Sequence, residues 1–334
     1  MNQKIAVVVL TLLVVGFSAW YFDQNFVRES KQGAVSSSTK DQNQNKEDEV
    51  LITSEKLLVL DGTERVKNIL EFNALGKEKQ TIYSEKAEAK IKKVGSLSYL
   101  SKENPVLVSN TNGSLSLDII NIGSNEKDSN AARLIENFVN PISFCLSPQG
   151  SRLGYVAFSN TDKDYGFSLY VSSNAGKDKV KVSQNEEEIS FPTFNREENK
   201  LAFMEKNASN KETIKVYDLD TKKTQTIYET KNHLFSINWA PNDVIIFSEG
   251  VVDQWKNSQI YLMSETGGDL RKIYETTGGI AIDLNVSSAG EAFAYKLITS
   301  IAQINEMAPI YATPVKGGKS IKIYSGYKVL GWVN

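Results

Sequence analysis

The sequence predicts an all-β fold: a six-bladed β-propeller closed by its C-terminal strand and preceded by one N-terminal transmembrane helix. Three observations predict it. Six times a bulky residue ends an apolar run and leads into a polar turn, at Leu100, Leu146, Phe194, Trp239, Val286 and Trp332, with gaps of 46, 48, 45, 47 and 46 residues. A period of that size, built from short β-like runs, marks a propeller in which each repeat is one four-stranded blade. Further series keep the same period: Leu70, Ile120, Tyr170, Tyr217, Tyr261 and Tyr311, then the Ile-Tyr pairs at 82–83, 227–228, 273–274 and 323–324. Finally, Val, Ile, Tyr and Phe fill the runs after residue 50, and no long stretch there carries a helical period.

Taken in order, the chain begins with a four-residue stub and then residues 5–22, IAVVVLTLLVVGFSAWYF, which carry no charge. Eighteen apolar or small residues lie at the lower edge of what spans a bilayer. Trp20 and Tyr21 stand at the end of the run, where aromatic rings settle in the interface. The segment reads as an uncleaved signal anchor; the alternative is a signal peptide cut after Ser18. No Cys follows the run, so no lipid attachment site is present. Residues 23–50 form a linker whose polar part, GAVSSSTKDQNQNKEDE, lacks the apolar content to pack. Flexible-chain scaling gives it an end-to-end distance of roughly 20–25 Å.

The propeller is assigned to residues 51–334. Between the strands lie turn signals: SPQG at 147–150, APND at 240–243, Gly267-Gly268 and Gly317-Gly318. The first unit starts at KLLVLDG, which reads as a second strand because no anchor precedes it. The last anchor, in KVLGWVN, stands alone at the C-terminus. Residues 329–332 are therefore expected to supply the innermost strand of the first blade, a closure that removes the free edge.

The segments SFCLSPQGSRLGYVAF, SFPTFNREENKLAFM and SINWAPNDVIIFS resemble the repeat of TolB-like β-propellers. The resemblance covers about residues 51–334 and is clearest in the third to fifth units. It implies a six-bladed propeller. It does not carry TolB's function, and nothing here matches the family's additional N-terminal α/β domain. WD-type repeats are less apt, because no Gly-His and Trp-Asp pairs recur.

Catalysis finds little support in the residues. The chain has one His, His233, and one Cys, Cys145, so neither a His cluster nor a thiolate set can hold a metal. No G-x-S-x-G elbow and no Gly-rich phosphate loop is present. His233 is read as a loop residue and Cys145 as a buried small hydrophobe. No cofactor is implied. A net charge of −2 gives no bulk affinity for nucleic acid.

Candidate partner-binding residues come from long connections between second and third strands. Trp255 and Asp253 lie in GVVDQWKNSQ, and Asp162, Asp164, Tyr165 and Phe167 in the matching connection of the third blade. Aromatic side chains at loop tips serve as interface anchors, although Trp255 could equally fold back onto its own blade. Glu186, Glu187, Glu188, Glu249 and Glu306 are expected to make that face acidic. Lysines at the outer hairpins, among them Lys177, Lys179, Lys222 and Lys223, make the opposite face basic. The reading is a membrane-anchored extracytoplasmic propeller that binds a protein or cell-envelope component without catalysis. The alternatives are a carbohydrate- or peptide-binding sensor, and an enzyme with carboxylate or Tyr chemistry in the central funnel.

Overall fold

The computed structural model describes residues 53–62, 67–84, 91–101, 104–111, 118–121, 126–128, 139–161, 164–173, 177–185, 188–251 and 255–333. The expected anchor and linker, residues 5–50, lie outside the described residues. Among the described residues no helix is long and apolar enough to cross a membrane.

The chain lays down strands in groups of four. It opens with β1 (Lys56–Gly62), β2 (Lys67–Phe72) and β3 (Gln80–Ser84). A second group is β4 (Ile91–Ser101), β5 (Asn104–Thr111), β6 (Asp118–Asn121) and β7 (Glu126–Asp128). A third is β8 (Val139–Leu146), β9 (Arg152–Thr161), β10 (Asp164–Ser173) and β11 (Val180–Asn185). The fourth is β12 (Glu188–Phe194), β13 (Lys200–Lys206), β14 (Glu212–Asp218) and β15 (Lys223–Thr230). The fifth is β16 (His233–Ala240), β17 (Val244–Gly250), β18 (Gln259–Ser264) and β19 (Arg271–Glu275). The sixth is β20 (Ile280–Val286), β21 (Ala292–Ile298), β22 (Ala308–Pro314) and β23 (Ile321–Gly326), and β24 (Lys328–Val333) ends the chain.

Five antiparallel sheets are each built from four consecutive strands, and one more joins the two ends of the chain in the order β24-β1-β2-β3. The pairing of β24 with β1 sets Leu57 opposite Trp332 and Val59 opposite Val329. This is the closure that the unpaired first and last runs predict. The first strands of successive groups pack side by side, β4 on β8, β8 on β12, β12 on β16, β16 on β20 and β20 on β24, and β24 meets β4. The architecture is an all-β propeller.

The periodic residues take the places their spacing predicts. Leu146, Phe194 and Val286 end the inner strands β8, β12 and β20, Trp239 is next to last in β16, and Trp332 lies in β24. The Trp rings also stitch neighbouring sheets together. Trp239 Nε1–H donates to the Thr193 carbonyl at 2.8 Å, and Trp332 Nε1–H to the Asn285 carbonyl at 3.2 Å. A buried indole needs such a partner, and the repeat supplies it one period upstream.

The turns after three inner strands, β8, β12 and β20, share one chemistry. In the first of these turns the Ser147 hydroxyl accepts from the Arg152 N–H at 2.9 Å, and Gly150 takes φ +75°. Asn195 accepts from Lys200 N–H at 2.9 Å with Glu198 at φ +58°, and Ser287 accepts from Ala292 N–H at 3.1 Å with Gly290 at φ +73°. Ser, Asn and Gly suit these positions because a short side-chain oxygen mimics the backbone and Gly tolerates left-handed φ.

The core is a series of layers between sheets. Cys145, Val156, Leu169, Phe194, Leu201 and Phe203 fill the layer between the third and fourth groups. Ile214, Ile237, Trp239 and Phe247 fill the next. At the closure Leu57, Leu70, Phe72, Ala294, Ile310 and Trp332 pack together. Cys145 is buried, and burial raises its thiol far above the ordinary value, so it is an inert packing residue.

Candidate functional site

Every inner strand is interrupted by a β-bulge partway along its length. The register shifts between Val94 and Leu97, Pro141 and Ser143, Ser190 and Thr193, Leu234 and Ser236, and Ile282 and Asn285. On β24 the partners of Leu58 and Val59 skip Leu330. A bulge adds a residue to one strand and re-aims its side chain. Here the bulged strands surround the channel at the propeller's centre, lined by Ser143, Phe191, Asn238, Asp283, Asn285 and Lys328.

Two bulge residues hold backbone conformations that sequence reasoning did not foresee. Phe191 has φ +51° and Asp283 φ +53°. For a bulky residue such as Phe this is a sparsely populated region that costs about 1–3 kcal/mol. The cost is accepted on a phenyl ring that is 38 % exposed and faces the channel. Asp283 keeps some accessible surface but lies deep between the inner strands. Burial pushes its carboxyl above the ordinary carboxylate range, while Lys328, Lys296 and the Val329 N–H act to lower it.

Below Asp283 lies Lys296, 0 % exposed. Its ammonium donates to the carbonyls of Ile304 at 2.9 Å, Glu306 at 3.0 Å and Tyr327 at 2.6 Å. Three donors meet three acceptors, so the buried cation is fully hydrogen-bonded. Burial lowers its pKa, with Asp283 acting in the opposite direction. The ammonium ties the β21–β22 connection to the start of the closing strand. That connection contains a short 3-10 helix, Ile301–Asn305. Gln303 fixes it from the other side, accepting from the Thr299 N–H at 2.7 Å and hydroxyl at 3.1 Å. The pinned loop presents Ile301, Ile304 and Met307 to solvent.

The same face carries the sequence-predicted residues. Tyr165 is 57 % exposed at the start of β10. Phe167 is half-buried and packs on the layer between the third and fourth sheets. Asp164 is the first residue of β10; Asp162 and Asp253 lie outside the described residues. Trp255 is half-buried: with Phe235, 6.1 Å away between ring centres, it caps a cluster of Ile280, Ile282, Ile298 and Ala308. The structure thus realises the folded-back alternative for Trp255.

Two expectations need correction, one about charge on this face and one about a loop. Glu249 is buried and accepts from the Tyr228 hydroxyl at 2.9 Å and from Asn232 Nδ2 at 3.3 Å, so it contributes structure and no acidic rim. His233 is the first residue of β16 and no loop residue. Its Nδ1 lies 2.6 Å from Glu212 Oε1, while Glu212 Oε2 accepts from the Leu234 N–H at 2.6 Å. This carboxylate joins the fourth and fifth sheets. Glu306 remains exposed, Glu188 keeps exposed surface with its carboxyl set inward, and Glu186 and Glu187 lie outside the described residues. Burial raises the Glu188 carboxyl, with Glu212 adding to the rise and Lys206 and His233 opposing it. Among the described residues no group of three His, Cys, Asp or Glu side chains could hold a metal ion.

No family model and no curated protein matches the chain. Solved structures do match. The chain is similar to a protein described as TolB from Agrobacterium tumefaciens, with 13% identity, 81% of this chain and 92% of that one covered, and a TM-score of 0.61. TolB from Acinetobacter baumannii matches at 10% identity over 85% of this chain and 67% of that one, with a TM-score of 0.58. A chain of a nidogen/laminin complex matches at 9% identity over 84% of this chain and 97% of that one, with a TM-score of 0.57. At these identities the likeness shows the fold, a TolB-like β-propeller, and no more.

Proposed function

We propose that the chain is a six-bladed propeller, held outside the cytoplasm by an N-terminal membrane anchor, that binds a protein or cell-envelope component without catalysis. The observation that carries this is the segregation of exposed apolar side chains. Tyr165, Val251, Ile301, Ile304 and Met307 all lie in or beside connections between second and third strands. In an antiparallel propeller those connections share one face. Of the other exposed large hydrophobic residues among the described ones, Phe191 lines the channel, and Val180 and Leu270 lie elsewhere. Loops on a rigid scaffold are where binding residues concentrate, and clustered apolar exposure marks an interaction surface. The neighbours support the reading to the extent that one of them was solved in a nidogen/laminin complex.

Asp162, Asp164, Tyr165, Phe167, Asp253 and Trp255 belong to the proposed surface, with Tyr165 as its exposed aromatic anchor and Trp255 supporting the loop beneath. A photo-crosslinking residue at Ile304 is expected to trap one partner in membrane extract. The same probe at Leu270 is expected to trap none. Equal capture from both positions would discard this face. Mass spectrometry of the membrane-extracted chain tests the anchor: a peptide spanning Ser18 and Trp20 is expected, and a mature start at Ala19 would replace anchoring by release.

A second reading rests on Phe191 and Asp283. Strained residues aimed into a channel mark a ligand site, here for a small carbohydrate or peptide. Loss of ligand binding in Phe191→Ala with the Ile304 crosslink retained would favour it.

A further inference from the structure

On the face opposite the proposed partner surface, the seam between the third and fourth sheets opens into a cavity of about 330 Å³. That is at the lower end of the about 300–1,000 Å³ that small-molecule sites occupy. Its floor is Val171, Ser172, Tyr217 and Leu219, and its rim holds Arg152, Asp178 and Lys222. The walls come from the start of β9, the end of β10, the β10–β11 connection at Asp178 and the β14–β15 turn.

Among the described residues, three polar groups at this cavity have no partner. The Arg152 guanidinium and the Lys222 ammonium form no ion pair or hydrogen bond among the described residues. Tyr217 is only 6 % exposed, yet its hydroxyl also has no hydrogen-bond partner among the described residues. The nearby Glu198 carboxylate is already used, accepting from the Gln149 N–H at 2.5 Å and from the Ser151 hydroxyl. Ser172 is committed too, donating to the Ser173 carbonyl at 3.0 Å. Two cations and one phenolic donor therefore converge without a counter-charge, save Asp178 on the rim.

We propose that this cavity binds a phosphate ester carried on a small polyol. The forked guanidinium of Arg152 suits two oxygens of one phosphate, and Lys222 adds a point charge. Tyr217 donates a hydrogen bond from the floor. Asp178 and the lone pairs of the Ser172 hydroxyl accept from the polyol, which distinguishes the ligand from a bare anion; the Ser173 hydroxyl already accepts from the Lys177 N–H at 3.0 Å. The same chemistry occurs in a soluble glycerol phosphate and in a glycerol-phosphate lipid headgroup. This inference is independent of the partner-binding face, and its variants leave that face untouched.

Calorimetric titration of the full-length chain in neutral detergent tests it, with glycerol 3-phosphate as the probe and glycerol as the uncharged control. Saturable binding of the phosphate ester alone is expected. Arg152→Gln with Lys222→Gln is expected to weaken binding by about tenfold or more, and Tyr217→Phe by about three- to tenfold. Both variants are expected to keep the wild-type thermal midpoint, because the cations are exposed and the ring is retained. Competition by dihexanoyl phosphatidylglycerol, below its micelle concentration, would assign the ligand to a lipid headgroup; binding without competition would assign it to a soluble phosphate ester. No saturable binding of either probe, or unchanged affinity in the Arg152/Lys222 variant, overturns the site.

Discussion

Asp283 shows how a single residue can oppose the fold that contains it. Burial raises its carboxyl above the ordinary value of 3.8, so the folded chain holds a proton that the unfolded chain has released. Its unfavourable contribution is therefore absent well below pH 3.8, grows as the pH rises through that value, and is complete above the raised pKa. Asp283→Asn keeps a residue that tolerates left-handed φ and removes the buried charge. The variant is expected to melt higher than wild type at pH 7, with the difference vanishing near about pH 3. Melting curves across that range check it. Glu55 instead supports the fold through hydrogen bonds. It is buried, and its carboxylate accepts from the Ser288 N–H at 2.8 Å and the Ala289 N–H at 2.9 Å, across the closure of the ring. Glu198 does a similar thing at the seam between the third and fourth sheets, accepting at the Ser147–Gly150 turn. Glu55→Ala leaves two inward-facing N–H groups unpaired and is expected to cost about 1–3 kcal/mol, read as a lower midpoint in denaturant titration.

At the scale of elements, the β21–β22 connection depends on one ammonium. Lys296→Met would keep the length of the side chain but strand the carbonyls of Ile304, Glu306 and Tyr327. Unpaired buried carbonyls draw the loop toward solvent, so limited proteolysis within 299–307 is expected to accelerate in this variant while the distant third and fourth sheets stay protected. Elements of this kind were hard to read from sequence. The strands were legible because short runs of Val, Ile, Tyr and Phe recur at the 45–48-residue spacing of the anchors. A bulge leaves no such trace: Phe191 looks like one more apolar strand residue, and Asp283 like a stray charge. Trp255 misleads for the same reason, since its turn-like surroundings hide Phe235, twenty residues upstream, against which it packs. Glu212 and Glu249 carry no sequence mark that separates a seam-bridging carboxylate from a solvated one. The lysines and the arginine of the hairpin face were visible as a charge pattern, but the cavity between Arg152, Tyr217 and Lys222 exists only after the third and fourth sheets pack.

For the whole molecule, the decisive contact is between the two ends of the chain. β24 buries Val329, Leu330, Trp332 and Val333 and covers the edge of β1. Each such side chain contributes about 1.5–3 kcal/mol on burial, so together they match the about 5–15 kcal/mol that stabilises an ordinary domain. Its loss also exposes Leu57, Leu58 and Val59, all fully buried, along an unpaired strand. An open apolar edge of this kind recruits other chains. Distant sheets would suffer as well, because each inner strand is held between two neighbours and the circle has no spare contact where it is cut. Truncation after Gly326 is therefore expected to abolish cooperative unfolding and drive the chain into aggregates. Restoring residues 327–334 as a separate peptide is expected to recover soluble, cooperatively melting protein, since the missing strand pairs through backbone bonds and does not require a covalent link to Gly326. A truncated chain that melts cooperatively at the wild-type midpoint would show that the remaining sheets stand without the closing strand, and would remove the ring as the unit of stability.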